Sequence, residues 1–171
     1  PYDPNVLGIL YLKSYRAHLL GTNDVGQDIF SELIYGTRVS LMIGVFTSLI
    51  VTVVAAVLAL IAGYYRGVAD AVITALTNVT MGLPSLALTV LLVSYLNPGK
   101  LSIILAIAVT AWTGTTRILR SRVIQLCNMP FVKIEQAIGV RNEKIMVRHL
   151  LPNLRDIILT RAATSVSAAM M

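Results

Sequence analysis

Two long stretches without a charged residue, 39–62 and 71–96, constrain this chain more than any other feature. They hold 24 and 26 residues, and about 20 apolar residues in helical form cross the hydrocarbon core of a bilayer. Inside lipid each backbone N–H and C=O must be satisfied within its own segment, so each run is expected to be a helix. A third run, 101–116, has 16 uncharged residues. Ile118 and Leu119 extend it to 119 if Arg117 snorkels toward headgroups or faces protein. Composition agrees, with 56% hydrophobic and 13% charged residues where a soluble domain carries about a quarter charged. The expected fold class is all-α, a polytopic transmembrane helical bundle. Its spans are expected at 39–62, 71–96, 101–119 and, incomplete, 154–171.

Charge is as unevenly distributed as hydropathy. Seven of the fourteen Lys and Arg residues (Arg117, Arg120, Arg122, Lys133, Arg141, Lys144 and Arg148) lie within 117–153, against two acids, Glu135 and Glu143. Bases close to spans mark the cytoplasmic side. Arg66, those seven and Arg155 make nine on one face, against Lys13, Arg16, Arg38 and Lys100 on the other. Residues 117–153 are therefore expected to form a cytoplasmic loop. Apolar positions recur through it at roughly helical spacing, and Pro130, Gly139 and Pro152 divide it into short helices. A net charge of +6 suits nucleic acid, but these bases gather at membrane ends and no domain presents a groove-reading helix, so nucleic acid is excluded as a partner. A single cysteine, Cys127, excludes an intrachain disulfide.

Residues 1–38 hold four acids, three bases and no run long enough to cross a bilayer. They are expected to be an extracytoplasmic segment ending in an interfacial helix over Ile29, Phe30, Leu33 and Ile34. Thr22 or Asn23 would cap that helix, with Asp24 and Asp28 near its positive end. Gly44, Ala55, Ala56, Ala59 and Gly63 offer the first span a close-approach surface, and 63–70 reads as a short turn. Asn78, Thr80 and Pro84 fall near the middle of the second span, where Pro84 should kink the helix. Polar residues at that depth either mark a pathway or bond to neighbouring helices, and both readings stay open. Arg161, deep in the last run, should face protein or an aqueous cavity rather than lipid.

Signatures of enzyme chemistry do not emerge. There is no phosphate-binding glycine loop, since 97–100 lacks the upstream glycine and following hydroxyl. No nucleophile elbow occurs. His18 and His149 fall on opposite sides of the expected topology, so they share no metal. The chain is read as carrying no enzyme activity, no metal and no cofactor of its own.

Two stretches carry a resemblance. In 117–153, Gly139 and the end His149, Leu150, Leu151, Pro152 have the spacing of the EAA loop of binding-protein-dependent ABC importer permeases. Around 18–41, Leu20, Gly21, Thr22, Gly26, Asp28, Ser31, Leu33, Gly36, Arg38, Ser40 and Leu41 resemble a pattern of the second permease subunit of oligopeptide, dipeptide and nickel importers. The departures are Lys133, Ile134 and Glu135 at the acidic-alanine triplet, with Ala137 the next match, and Asn23, Gln27 and Glu32 in the first pattern.

The resemblance implies a type I importer permease of the cell (plasma or inner) membrane, here a fragment lacking its first and last spans. It implies a pore subunit for peptides or a chelated metal such as nickel, working with a second permease and an extracytoplasmic substrate-binding protein. Two cytoplasmic ATPase subunits would bind ATP and Mg. Coupling would run through Phe131, Lys133, Glu135, Ala137, Gly139, Arg141, Glu143, Lys144, Arg148, His149 and Pro152. Phe131, Ile134 and Ile138 are expected to anchor the loop while Arg141, Glu143 and Lys144 meet the ATPase. The competing class is an ATP-independent secondary transporter, which calls for inverted repeats that the sequence does not display.

Overall fold

In the computed structural model, residues 12–13 and 18–170 are described. Positions 1–11 and 14–17 of the expected extracytoplasmic segment, and Met171, lie outside the described residues. The chain divides into two compact units, Pro1–Ile43 and Gly44–Met171. Its described elements are helical throughout, apart from one isolated bridge between Thr22 and Asp28.

In the first unit a turn precedes the first helix, α1 (Ile29–Tyr65). Gly21 and Gly26 take φ of 79° and 82°, a region open to glycine because it has no Cβ. The Asn23 side-chain oxygen accepts the Val25 and Gln27 amides at 2.9 Å each. Neither expected cap performs that role. Thr22 Oγ1 accepts the Leu12 amide at 2.8 Å, whereas Asp28 Oδ2 accepts the Ser31 amide at 2.9 Å and the Ser31 hydroxyl at 2.6 Å. A carboxylate bound to the third helical N–H is a helix cap placed against the positive end of the dipole.

From there α1 runs unbroken for 37 residues. The expected interfacial helix and first span are therefore one helix, about 55 Å long at 1.5 Å per residue. No proline interrupts it, and the Thr37 hydroxyl folds back on the Leu33 carbonyl at 2.7 Å, so nothing in 35–39 ends the pattern.

The expected turn 63–70 contracts to one residue. Arg66, with φ 54°, separates α1 from α2 (Gly67–Gly82), and Gly67 shares the same φ. The second expected span is broken rather than kinked: α2 and α3 (Ser85–Tyr95) meet at 91°. Leu83 and Pro84 are both extended there, because proline disfavours α conformation in the residue before it and cannot continue the ladder. At eleven residues α3 is about 16 Å long, short of the ~30 Å core.

The third expected span is also longer than its apolar run. α4 (Lys100–Cys127) carries Arg117, Arg120 and Arg122 within the helix. The first third of the expected loop 117–153 is thus helix, and the irregular segment starts at Asn128. It contains α5 (Pro130–Ala137), α6 (Asn142–Ile145) and a π-helical turn, Met146–Leu150, leading into α7 (Leu151–Met170). By length and composition α1 and α4 qualify as spans, with the bent α2–α3 pair as a third. α7 does not, among the described residues, because Arg155, Asp156 and Arg161 dilute its apolar content.

Two apolar clusters hold the second unit together. Ala55, Ala56 and Ala59 of α1 pack with Leu119 of α4 and with Ile157 and Ile158 of α7. This is the small-residue face of α1. A Cβ on Gly63 would sit 2.6 Å from Val123 Cγ1, and one on Gly44 would meet Met170 at 3.0 Å. Helices in lipid associate by such backbone approach rather than by escape from water. The second cluster joins Leu60, Val123 and Leu126 to Val132, Ile145, Leu150 and Leu154.

Candidate functional site

The segment from Asn128 to Asn153 is clamped to the helix ends by the second cluster. Its anchors are Val132, Ile145 and Leu150, each fully buried; burying such a side chain is worth roughly 1.5–3 kcal/mol relative to water. The expected anchors are on the other side. Phe131 is 39%, Ile134 61% and Ile138 70% exposed, because a short helix with apolar residues on several sides buries whichever face meets α4, here that of Val132.

Local chemistry explains the shape. Pro130 opens α5 at a position whose N–H has no helical partner in any case. Gly139 ends α5 with φ 79°. Its amide bonds to the Gln136 carbonyl at 3.1 Å, and the Val140 amide bonds to that of Glu135 at 3.0 Å. That pair is the Schellman arrangement, which needs a left-handed residue at this position. Pro152 then acts on the turn that precedes it. Its ring excludes the carbonyl four residues back, and Met146–Leu150 widens so that the Leu151 amide reaches the Met146 carbonyl. Such π turns are inserted where the α ladder is interrupted. Asn153 Nδ2 donates to the His149 carbonyl at 2.6 Å.

Of the remaining sequence candidates, Lys133, Ala137, Arg141, Glu143, Lys144, Arg148 and Pro152 are exposed, and Glu135 and His149 are half-buried. His149 Nε2 lies 3.5 Å from Glu135 Oε1, tying the π turn to α5. Arg141 and Glu143 approach at 3.5 Å in full solvent, a geometry worth at most about 1 kcal/mol. The end of α1 is joined to this segment by hydrogen bonds that sequence reasoning missed. Tyr64 Oη donates to Asn142 Oδ1 at 2.8 Å, and Gln136 Nε2 donates to Tyr64 Oη at 3.5 Å.

A second missed network lies between α2 and α4. Arg120 donates from Nε and Nη2 to the two carboxylate oxygens of Asp70, and Arg117 Nη2 donates to Asn78 Oδ1 at 2.8 Å. Asn78 thus meets a neighbouring helix. These pairs let α4 continue past its apolar run, since a paired arginine is far less costly beside lipid than a bare one.

Thr80 borders a cavity, as do Leu83 and Ser85 on either side of Pro84. This half-open space of about 480 Å³ lies between Thr80, Met81 and Leu83 on one side and Ile107, Thr110 and Gly114 on the other. The Thr80 hydroxyl is spent on the Leu76 carbonyl at 2.9 Å. A smaller space of about 250 Å³ adjoins it, sharing Ile107, Ala111, Ala168 and Ala169, and contains Arg161, Thr47 and Thr115. Arg161 therefore does face a cavity. No group of side chains suited to a metal ion occurs among the described residues.

Comparison with known proteins fits this architecture. Residues 55–171 match the family described as binding-protein-dependent transport system inner membrane component. The dipeptide transport system permease protein DppC of Bacillus subtilis (strain 168) is 35% identical over 89% of this chain and 48% of its own length. The oligopeptide transport system permease protein OppC of the same organism is 31% identical over 90% of this chain and 50% of its own. The glutathione transport system permease protein GsiD of Pectobacterium atrosepticum is 32% identical over 80% and 45%. The chain spans about half the length of these curated relatives. The resemblance drawn from the residues is thus confirmed at the level of family, with the all-α helical fold that it implied. Bent and broken apolar helices, an anchored basic segment and a match over residues 55–171 converge: the chain belongs to the binding-protein-dependent transport system inner membrane components.

Proposed function

We propose that this chain forms part of the solute pathway of an ATP-driven importer, and that its basic segment 128–153 is gripped by a separate ATPase subunit. One observation carries this reading. The segment is held rigidly from below by Val132, Ile145 and Leu150, and presents outward an apolar strip of Phe131, Ile134 and Ile138. Arg141, Glu143, Lys144 and Arg148 are exposed on the helices that follow. Apolar anchors with a charged rim suit a protein partner, and rigid attachment lets movement of that partner reach α1 and α4.

In this reading the segment is cytoplasmic and corresponds to the EAA loop. Asn78, Thr80 and Pro84 shape the pathway, Thr80 directly and the other two by fixing α2. The assembly contains a second permease subunit, two ATPase subunits holding ATP and Mg, and an extracytoplasmic substrate-binding protein. The chain itself hydrolyses nothing and holds no cofactor. Short peptides are the favoured solute, supported by the names of the relatives; a chelated metal such as nickel is the second class that the resemblance allows. An ATP-independent secondary transporter is the reading this one displaces.

The test is co-purification of the full-length permease with its candidate ATPases, comparing wild type with an alanine block over 141–144 and with Phe131→Ala/Ile134→Ala. Both variants should lose the ATPase while remaining in the membrane. A wild type that binds no ATPase would overturn the proposal and favour the secondary transporter.

A further inference from the structure

Arg161 is the most unusual charged residue of the second unit. It sits on α7 two turns beyond the cluster around Leu154, and among the described residues no carboxylate pairs with it. Its Nε is buried with no hydrogen-bond partner. Its Nη2 reaches only the Thr115 hydroxyl, at 3.5 Å. Thr47 Oγ1, another lining atom of the same cavity, is buried and equally without a partner. Two arginines of α4 are treated differently: Arg120 is engaged by both carboxylate oxygens of Asp70, and Arg117 by Asn78.

An unpaired guanidinium beside lipid is costly, and a buried donor without an acceptor forfeits its hydration for nothing in return. An oxyanion entering such a site would satisfy these donors. Arginine offers a planar fork of donors that matches a carboxylate. The space of about 250 Å³ around it shares Ile107, Ala111, Ala168 and Ala169 with the roomier one beside Thr80, so the small side chains between the fork and that second space leave room for a short chain.

Resting on the importer reading, we propose that Arg161, assisted by the Thr115 and Thr47 hydroxyls, receives a carboxylate group of the transported solute. The solute would then be anchored by its acidic end while the remainder lies against the apolar walls given by Ile107, Ala111 and Ala168. Selection inside the pore would favour solutes ending in a free carboxylate, beyond whatever the binding protein selects.

The experiment uses the full-length permease pair with its ATPases in phosphatidylcholine vesicles, without the binding protein. The probes are trialanine and trialanine C-terminal amide, followed by ligand-observed NMR. Wild type should bind trialanine about tenfold more tightly than its amide, as expected for one charge-assisted contact. R161K should keep part of that preference and R161Q should bind both probes alike. Co-purification of all subunits with each variant establishes that it has folded. Equal binding of the two probes by wild type, or an undiminished preference in R161Q, overturns the proposal. So does loss of the second permease from R161Q and R161K together, which would make the guanidinium an interface group. Adding phosphatidylglycerol should leave the preference unchanged; its abolition would assign the fork to a lipid phosphate instead. ATP-dependent uptake of trialanine by the complete system is measured alongside. Its presence without carboxylate preference sinks this inference alone, and its absence from wild type sinks both this and the importer reading.

Discussion

Arg120 of α4 engages both carboxylate oxygens of Asp70 at the start of α2, a contact across 50 residues of sequence. The two side chains are 29% and 21% exposed, so their attraction is partly screened. Breaking a buried pair costs about 3–5 kcal/mol because one charge is left alone, and this exposure reduces the figure to about 2 kcal/mol. Asp70→Ala should lower thermal stability in detergent by that amount. Asp70→Ala/Arg120→Ala should recover most of it, since neither charge is then stranded. A single variant as stable as wild type would mean the pair holds nothing.

Gly139 should tolerate substitution only by residues at ease with positive φ. Its Cβ would find open space, so the cost is conformational: about 1 kcal/mol for Gly139→Ala and less for Gly139→Asn. Hydrogen exchange at the Val140 amide, which closes the turn, reports this directly and should accelerate roughly fivefold in the alanine variant.

At Gly63 the obstacle is steric instead. With Val123 Cγ1 only 2.6 Å from an added Cβ and the Arg120 carbonyl at 3.2 Å, Gly63→Ala should cost about 1–3 kcal/mol. Gly63→Ala/Val123→Ala should cost less than the sum of the two single variants. Additive costs in the double-mutant cycle would place the two helices farther apart than described.

The turn before α1 should respond to acid. Asp28 is 5% exposed. The Ser31 hydroxyl above all, then the Ser31 amide and His18, hold its carboxyl below the ordinary 3.8, against the opposing effect of burial. A depressed folded-state value stabilises fully above the unfolded value and fades as pH falls through the folded one. The cap should thus be insensitive to pH near neutrality and weaken below about pH 3.8. Asp28→Asn should remove that acid sensitivity in a circular-dichroism titration of the helix; an unchanged titration would assign it to another group.

Charge-free runs made the helices of this chain legible, because a bilayer leaves such runs one backbone conformation. Helix ends were less so. The sequence closes the third span at Leu119, yet α4 continues to Cys127, since Asp70 and Asn78 supply partners from far along the chain. Pro84 announced a disturbance, but not that it would reach 91°. In 128–153, glycine and proline positions foretold the turns, whereas the buried face went to Val132 rather than to its neighbour Phe131. With apolar side chains on several sides of an eight-residue helix, only the packing of α4 and α7 decides between them. Arg161 was recognisable as a residue that must avoid lipid, while the lack of a carboxylate beside it among the described residues follows only from the packing of distant helices.

A π turn carries one more residue per turn than the α ladder on either side. At 3.6 residues per turn, that single insertion rotates everything downstream by about 100°. The widened turn at Met146–Leu150 is therefore the azimuthal setting of α7: it decides which stripe of that helix looks inward. Were Pro152 replaced so that the ladder closed again, Arg161 would swing by more than a quarter-turn, out of the space it shares with Thr47 and Thr115. A proline two turns away thus acts as the indexing pin for Arg161, whose guanidinium has no carboxylate partner among the described residues.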